Sequence, residues 1–174
     1  GRESLGKKTF AKKISSIFFC KNNSGCGNCS ECNLIITNKH PYVINFDCSN
    51  IHFDKNNVRM VQEHLSIYAS SEVLCKARVI VLGDIDNLSI NIVNKLLKTF
   101  ESTEKNCYII LTTSRAKLIL PTLLSRSIEW HIKPPAEKEL IKYFSKHKTV
   151  LEYKLSEKTI TRIVKEQGLC PGNI

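Results

Sequence analysis

Through residues 7–19 apolar positions recur every three or four residues. Phe10, Ala11, Ile14, Ile17 and Phe18 share one side and lysines the other, which predicts an amphipathic helix. In "YVINFD" (42–47) the period drops to two, with Tyr42, Ile44 and Phe46 alternating against smaller or polar residues as in a strand. "NNVRMVQEHLSIYAS" (56–70) returns to helical spacing, with Val58, Val61, Leu65 and Tyr68 on one face. "ARVIVLGD" (77–84) is a continuous, β-branched apolar run closed by Gly and Asp, the pattern of a strand buried on both faces. Ser89 is placed to cap a helix whose inward residues are Ile90, Val93, Leu97 and Phe100. "CYIILTT" (107–113) reads as a second buried strand and "SIEWHI" (127–132) as a further one, with Ile128, Trp130 and Ile132 on one face. This alternation of helix and strand predicts an α/β fold with a parallel sheet. "KPP" (133–135) breaks the chain. Two amphipathic helices follow, over 136–147 and 156–167, the second capped by Ser156, with no strand between them.

A chain of 174 residues, 42% of them apolar, is long enough for one full core, or for one domain and part of a second. Its apolar runs fall far short of the roughly 20 residues that cross a bilayer. The basic start before "ISSIFFC" lacks both a long apolar core and a small-residue cleavage site, so it does not read as a signal peptide. The expected compartment is the cytoplasm. A net charge of +10 favours a polyanionic partner such as nucleic acid, although abundant Lys and Asn with scarce Gly and Ala point to compositional drift as well.

Of eight cysteines, four crowd into "CKNNSGCGNCSEC" (20–32) with spacing C-x5-C-x2-C-x2-C. Cys20, Cys26, Cys29 and Cys32 suit a tetrahedral zinc ion, and Gly25 and Gly27 supply positive φ angles for the fold-back. Four thiolates leave no open coordination position, so such a site is structural, and the metal takes the place of a core that so short a segment cannot build. Free or oxidised thiols and an iron–sulfur cluster are the alternatives. Cys48, Cys75, Cys107 and Cys170 are scattered and read as free thiols of a reducing compartment.

The opening "GRESLGKKTF" fits the phosphate-binding loop G-x-x-x-x-G-K-[S/T] at Gly1, Gly6 and Lys7, then places Lys8 where a hydroxyl should hold magnesium. The acidic pair expected at the end of a buried strand is reduced to Gly83 and Asp84, because the first acid is glycine. Both departures touch the same chemistry. They predict a nucleotide-binding type of fold that does not hydrolyse nucleotide.

Taken in order, these features resemble the bacterial DNA polymerase III clamp-loader subunits of the AAA+ class. The likeness includes the loop-like start, the four-cysteine knob after its helix, His40–Pro41 leading into a strand, "VRMV" around Arg59, "NIVNKLLKTFES" (91–102), "YIILTT" and "LPTLLSRS". Within the family, a delta-prime type, which lacks the ATPase residues, fits Lys8 and Gly83 better than an ATP-hydrolysing gamma/tau motor does. Pro171 also stands about where the motor's lid arginine would be.

The resemblance implies an AAA+ domain over residues 1–132 with its knob at 20–32, part of a helical lid over 133–174, and a collar domain outside this chain. It implies a component of the DNA polymerase III holoenzyme, a nucleotidyltransferase complex, that helps load the β sliding clamp onto primed DNA. Its expected partners are gamma/tau and delta subunits, the clamp and primer-template DNA, with ATP carried by neighbouring subunits. Arg126, in "SRS" where the family usually has "SRC", is then an arginine finger acting in trans; the plainer reading is a local pair with a carboxylate. Thr112 and Thr113 take the family's sensor position but can equally serve as local hydrogen-bonding groups. Lys95 and Lys98 read as a solvated helix face. Outside the resemblance stands one further alternative, an unrelated zinc-knob nucleic-acid-binding protein.

Overall fold

The computed structural model describes residues 4–49, 53–66, 77–102, 105–145 and 156–167. It divides into two compact units, one formed by Lys8–Ser127 and the other by Gly1–Lys7 with Ile128–Ile174. Among the described residues no helix is long and apolar enough to cross a membrane.

In the larger unit three parallel strands, β1 (Val43–Asp47), β2 (Arg78–Gly83) and β3 (Cys107–Leu111), pair in the order β1-β2-β3. Every residue of β2 is buried, as the apolar run from Val79 to Leu82 predicts, and Arg78 at its start is buried with it. One face of the sheet is covered by α3 (Lys55–Ser66) and α4 (Ile90–Glu101), through Val58, Val61, Leu65, Ile92 and Leu96 against Phe46, Ile80 and Leu82. The other is covered by α1 (Lys7–Phe19) and the short α2 (Ser30–Ile36), through Ala11 and Ile35 against Val43, Val79 and Val81. Fully burying a side chain such as Ile80 contributes about 1.5–3 kcal/mol, so β2 anchors the unit. The expected parallel α/β fold is borne out.

Several expectations need correction in detail. α1 turns its small residues inward: Ala11, Ser15 and Ser16 are at most 3% exposed, whereas Phe10 and Ile17 are more than 40% exposed. Small side chains let the helix lie close to the sheet, and the buried hydroxyls of Ser15 and Ser16 stay satisfied by donating to the carbonyls of Ala11 and Lys12. α4 is capped by Ser89, whose Oγ accepts from the Ile92 amide, but it buries Ile92 and Leu96 most fully and leaves Ile90 64% exposed. β3 is half-buried rather than buried, because among the described residues it lies at the edge of the sheet. Residues 127–132 form no strand, and Ile128 is 90% exposed; an alternating pattern becomes a strand only beside a ladder partner, and the sheet of the described residues contains three strands. Tyr68 lies outside the described residues.

At the end of α3, Arg78 donates from Nη1 to the Leu65 carbonyl at 2.9 Å. Burial, with Arg78 close by, holds the His64 imidazole below its ordinary pKa, so this ring stays neutral at physiological pH. In the smaller unit α5 has no part; that four-residue helix (Pro121–Leu124) belongs to the larger one. Helices α6 (Glu137–Phe144) and α7 (Glu157–Gln167) pack on each other through Leu140, Phe144, Ile160 and Val164. Glu139 accepts from the Ala136 amide at the start of α6, and the Ser156 hydroxyl accepts from the Thr159 amide at the start of α7.

On β1, Asn45 faces Val81 across the ladder, and both its Oδ1 and Nδ2 are buried without a hydrogen-bond partner. An unsatisfied buried amide costs about 1–3 kcal/mol. Asn45→Val is therefore expected to raise unfolding stability by about 1–2 kcal/mol in urea titration, and a loss of stability would show that the amide is satisfied.

Candidate functional site

Two sites emerge from the larger unit. The first is the cysteine knob. All four Sγ atoms of Cys20, Cys26, Cys29 and Cys32 lie within 4.8 Å of one another, with Cys26 and Cys32 at 4.0 Å, so the cluster can hold a metal ion. Gly25 and Gly27 both have positive φ, +58° and +81°, as the fold-back requires. The Cys26 amide donates to Cys20 Sγ at 3.4 Å and, with neighbouring amides, pulls that thiol down to about 5. Cys29 is lowered too, chiefly by the Cys32 amide, whereas burial pushes Cys32 up to about 12. Cys20 is thus poised as a thiolate, and a bound cation is what would draw the proton from Cys32.

The knob is tied to the sheet by residues that its spacing does not reveal. Glu31, between Cys29 and Cys32, meets His40 Nε2 at 3.1 Å, and the Tyr42 amide donates to His40 Nδ1. Burial lowers the His40 pKa against the opposing pull of Glu31, and its ring packs on Phe19 with centroids 4.2 Å apart. Lys13 of α1 donates to the Gly25 carbonyl. Cys48 and Cys107 form no disulfide among the described residues; Cys75 and Cys170 lie outside them.

The second site lies at the carboxyl ends of the strands, where ligands of open α/β sheets usually bind. Parallel register sets Asp47 opposite Gly83, which brings Asp47 and Asp84 to adjacent strand ends. Between them sits Lys8: its Nζ is 2.7 Å from Asp47 Oδ1 and 2.7 Å from Asp84 Oδ2, and it donates to Ser49 Oγ at 3.2 Å. Burial opposes the ammonium form of Lys8, but Asp47 and Asp84 outweigh it and raise the pKa. Burial likewise opposes the charged form of Asp47, yet Lys8 and Ser49 hold its carboxyl below the ordinary value. With Lys8 and Asp47 more than a third exposed, solvent screening keeps each pair to about 1 kcal/mol or less. Asp84 adopts a left-handed backbone, φ +53°, which aspartate tolerates better than most residues.

The remaining candidates fall as follows. Thr112 accepts from the Asp84 amide through Oγ1, and Thr113 donates to Asp86, which Arg115 also holds at 2.7 Å. Both threonines thus hold the loop after β2. Arg126, just beyond α5, pairs with Glu101 at 2.9 Å and donates to the Thr122 carbonyl. Lys95 and Lys98 are exposed on α4. Gly6 has φ +74° immediately before α1 and Lys7 opens that helix; Gly1 and Pro171 lie outside the described residues. Sequence reasoning missed Asp47, whose only signal was its place at the end of an alternating strand, and Glu101, the last residue of "LLKTFE".

A family model described as "DNA polymerase III, delta subunit" matches residues 1–136. The chain belongs to this family. Among relatives, it is 27% identical to DNA polymerase III subunit delta' of Escherichia coli over 151 residues, covering 84% of this chain and 44% of that one. It is 31% identical to subunit delta' of Buchnera aphidicola over 137 residues (75% and 40%), and 29% identical to subunit tau of Bacillus subtilis over 137 residues (76% and 23%). The chain thus spans less than half the length of these relatives. The delta-prime-type resemblance drawn from the motifs is borne out by the family model and by several relatives of that name.

At Gly25 an added Cβ would stand 3.1 Å from the Lys13 carbonyl oxygen and 3.4 Å from Ser16 and Ile17, whereas at Gly27 it would meet nothing. Gly27→Ala is expected to cost about 1–2 kcal/mol, the penalty of a left-handed non-glycine residue. Gly25→Ala should cost distinctly more, because backbone cannot give way as a side-chain tip can. Denaturant unfolding of the two variants compares them directly, and equal costs would refute this account of the knob's packing.

Proposed function

We propose that this chain is the AAA+ domain and partial lid of a delta-prime subunit of the DNA polymerase III clamp loader. In this reading it is a stator that helps motor subunits place the sliding clamp on primed DNA. The observation that carries the reading is Lys8 at the strand ends: an ammonium sits between two carboxylates where a motor subunit needs a hydroxyl and a bound magnesium ion. The domain boundaries are 1–132 and 133–174. Partners are gamma/tau and delta subunits, the β clamp and primer-template DNA, in the cytoplasm, with ATP on the neighbouring subunits. A motor reading is favoured by the tau relative, whose identity is close to that of the delta' relatives. Lys8 and Gly83 weigh against it, and ATP binding by the full-length protein would discriminate the two.

Zinc fits the cysteine group. Tetrahedral zinc with thiolates at about 2.3 Å sets sulfurs about 3.8 Å apart, and the four Sγ atoms need contract little from within 4.8 Å. Cys20, Cys26, Cys29 and Cys32 would hold it, and its role is structural because four thiolates complete its shell. The purified full-length protein is expected to carry about one equivalent of zinc, lost in Cys26→Ser; metal analysis decides.

Arg126 is the arginine finger in this reading. It is half exposed and held by Glu101, a carboxylate it would exchange for the γ-phosphate of a neighbouring subunit. In a reconstituted clamp loader Arg126→Ala should reduce DNA-stimulated ATP turnover at least about tenfold while the complex still assembles. Unchanged turnover would leave Arg126 as nothing more than the partner of Glu101.

A further inference from the structure

Lys8 is held more fully than a surface ion pair requires. An ammonium has three hydrogens, and Lys8 finds three acceptors: Asp47 Oδ1 and Asp84 Oδ2 at 2.7 Å each and Ser49 Oγ at 3.2 Å. Ser49 in turn donates to Asp47 Oδ1 at 2.6 Å through its hydroxyl, and its amide donates to the same atom at 3.1 Å. The stem of Lys8 reaches this point across Gly83: a Cβ built there would lie 3.0 Å from Lys8 Cε and 3.4 Å from its Cδ and Cγ. Gly83 has no positive φ, so its backbone does not require glycine. A side chain there would press on the Lys8 stem and force it to shift by a few tenths of an ångström.

From these contacts we propose that Lys8 is a tethered cation that fills a divalent-metal position between Asp47 and Asp84, and that Gly83 belongs to the same device by leaving room for the Lys8 stem. The two departures from the nucleotide-site pattern are then one structural change with two parts. Two carboxylates brought together by strand register repel each other and need a positive charge between them. Elsewhere a dissolved cation can serve; in this chain the charge is covalently attached, arrives with folding, and leaves the position closed to magnesium. This inference goes beyond the stator role and does not depend on Arg126.

The test is thermal melting of the zinc-loaded full-length protein without added divalent metal and in millimolar manganese(II). Wild type should melt at the same temperature in both. Lys8→Ala and Lys8→Met, the second keeping the stem without its charge, should each melt lower than wild type by about 2–4 °C when no divalent metal is added. Manganese should restore both, since an ion that binds only the folded state stabilises it, and it should not restore Lys8→Ala/Asp84→Asn. Gly83→Ala should lower the melting temperature of wild type yet change nothing in the Lys8→Ala background, the non-additivity of residues in contact. The proposal is overturned by an equal manganese shift in wild type, by the absence of any rescue, by loss in Lys8→Ala without loss in Lys8→Met, or by a Gly83→Ala cost that persists without Lys8.

Discussion

Water reaches neither face of β2, and most of the larger unit follows from that fact. Its four central side chains, Val79 to Leu82, are at most 3% exposed, so helices must cover the sheet on both sides. Parallel pairing brings those helices, because each strand must be carried back before the next can begin. It also aligns the carboxyl ends of the strands. Asp47, Asp84 and Thr112 come together at one edge although the sequence spreads them over more than sixty residues, and the charged chemistry collects there.

Two parts draw little from this core. The cysteine knob has few apolar residues of its own and is held through Lys13 of α1 and through the pair of Glu31 with His40, just before β1. His40 suits this bridging position because its buried ring is kept neutral, with one nitrogen accepting from backbone and the other turned to a carboxylate. The pair α6 and α7 is instead supported by its own cluster of Leu140, Phe144, Ile160 and Val164. Both helices are short, so that cluster rather than intrinsic propensity sustains them.

Where a pattern reports burial directly, the sequence was readable. The β2 run, the Ser89 and Ser156 caps, the α3 stripe and the cysteine spacing all appear in the structure where the residues put them. Phase was harder. In α1 the largest apolar residues are not the most buried, because a close-packed interface selects small Ala11 and Ser15; in α4 the buried face is centred on Ile92 and Leu96, with Ile90 on the opposite side of the helix. The alternation at 127–132 shows which side chains would share a face but says nothing of whether a neighbouring strand exists. The Lys8 arrangement was half visible: the departures at Lys8 and Gly83 stood out, yet Asp47, 39 residues away, joins them only through strand register.

Arg78 carries a further consequence. Its guanidinium, at the start of the central strand, donates to the carbonyl of Leu65 in the last turn of α3, where helix carbonyls have no partner of their own. The last turn of α3 therefore cannot fray independently: opening it strips an acceptor from a buried cation as well as exposing Leu65. Helix end and strand are thereby joined into a single cooperative block, whose amides are released to solvent together rather than from the helix tip inward.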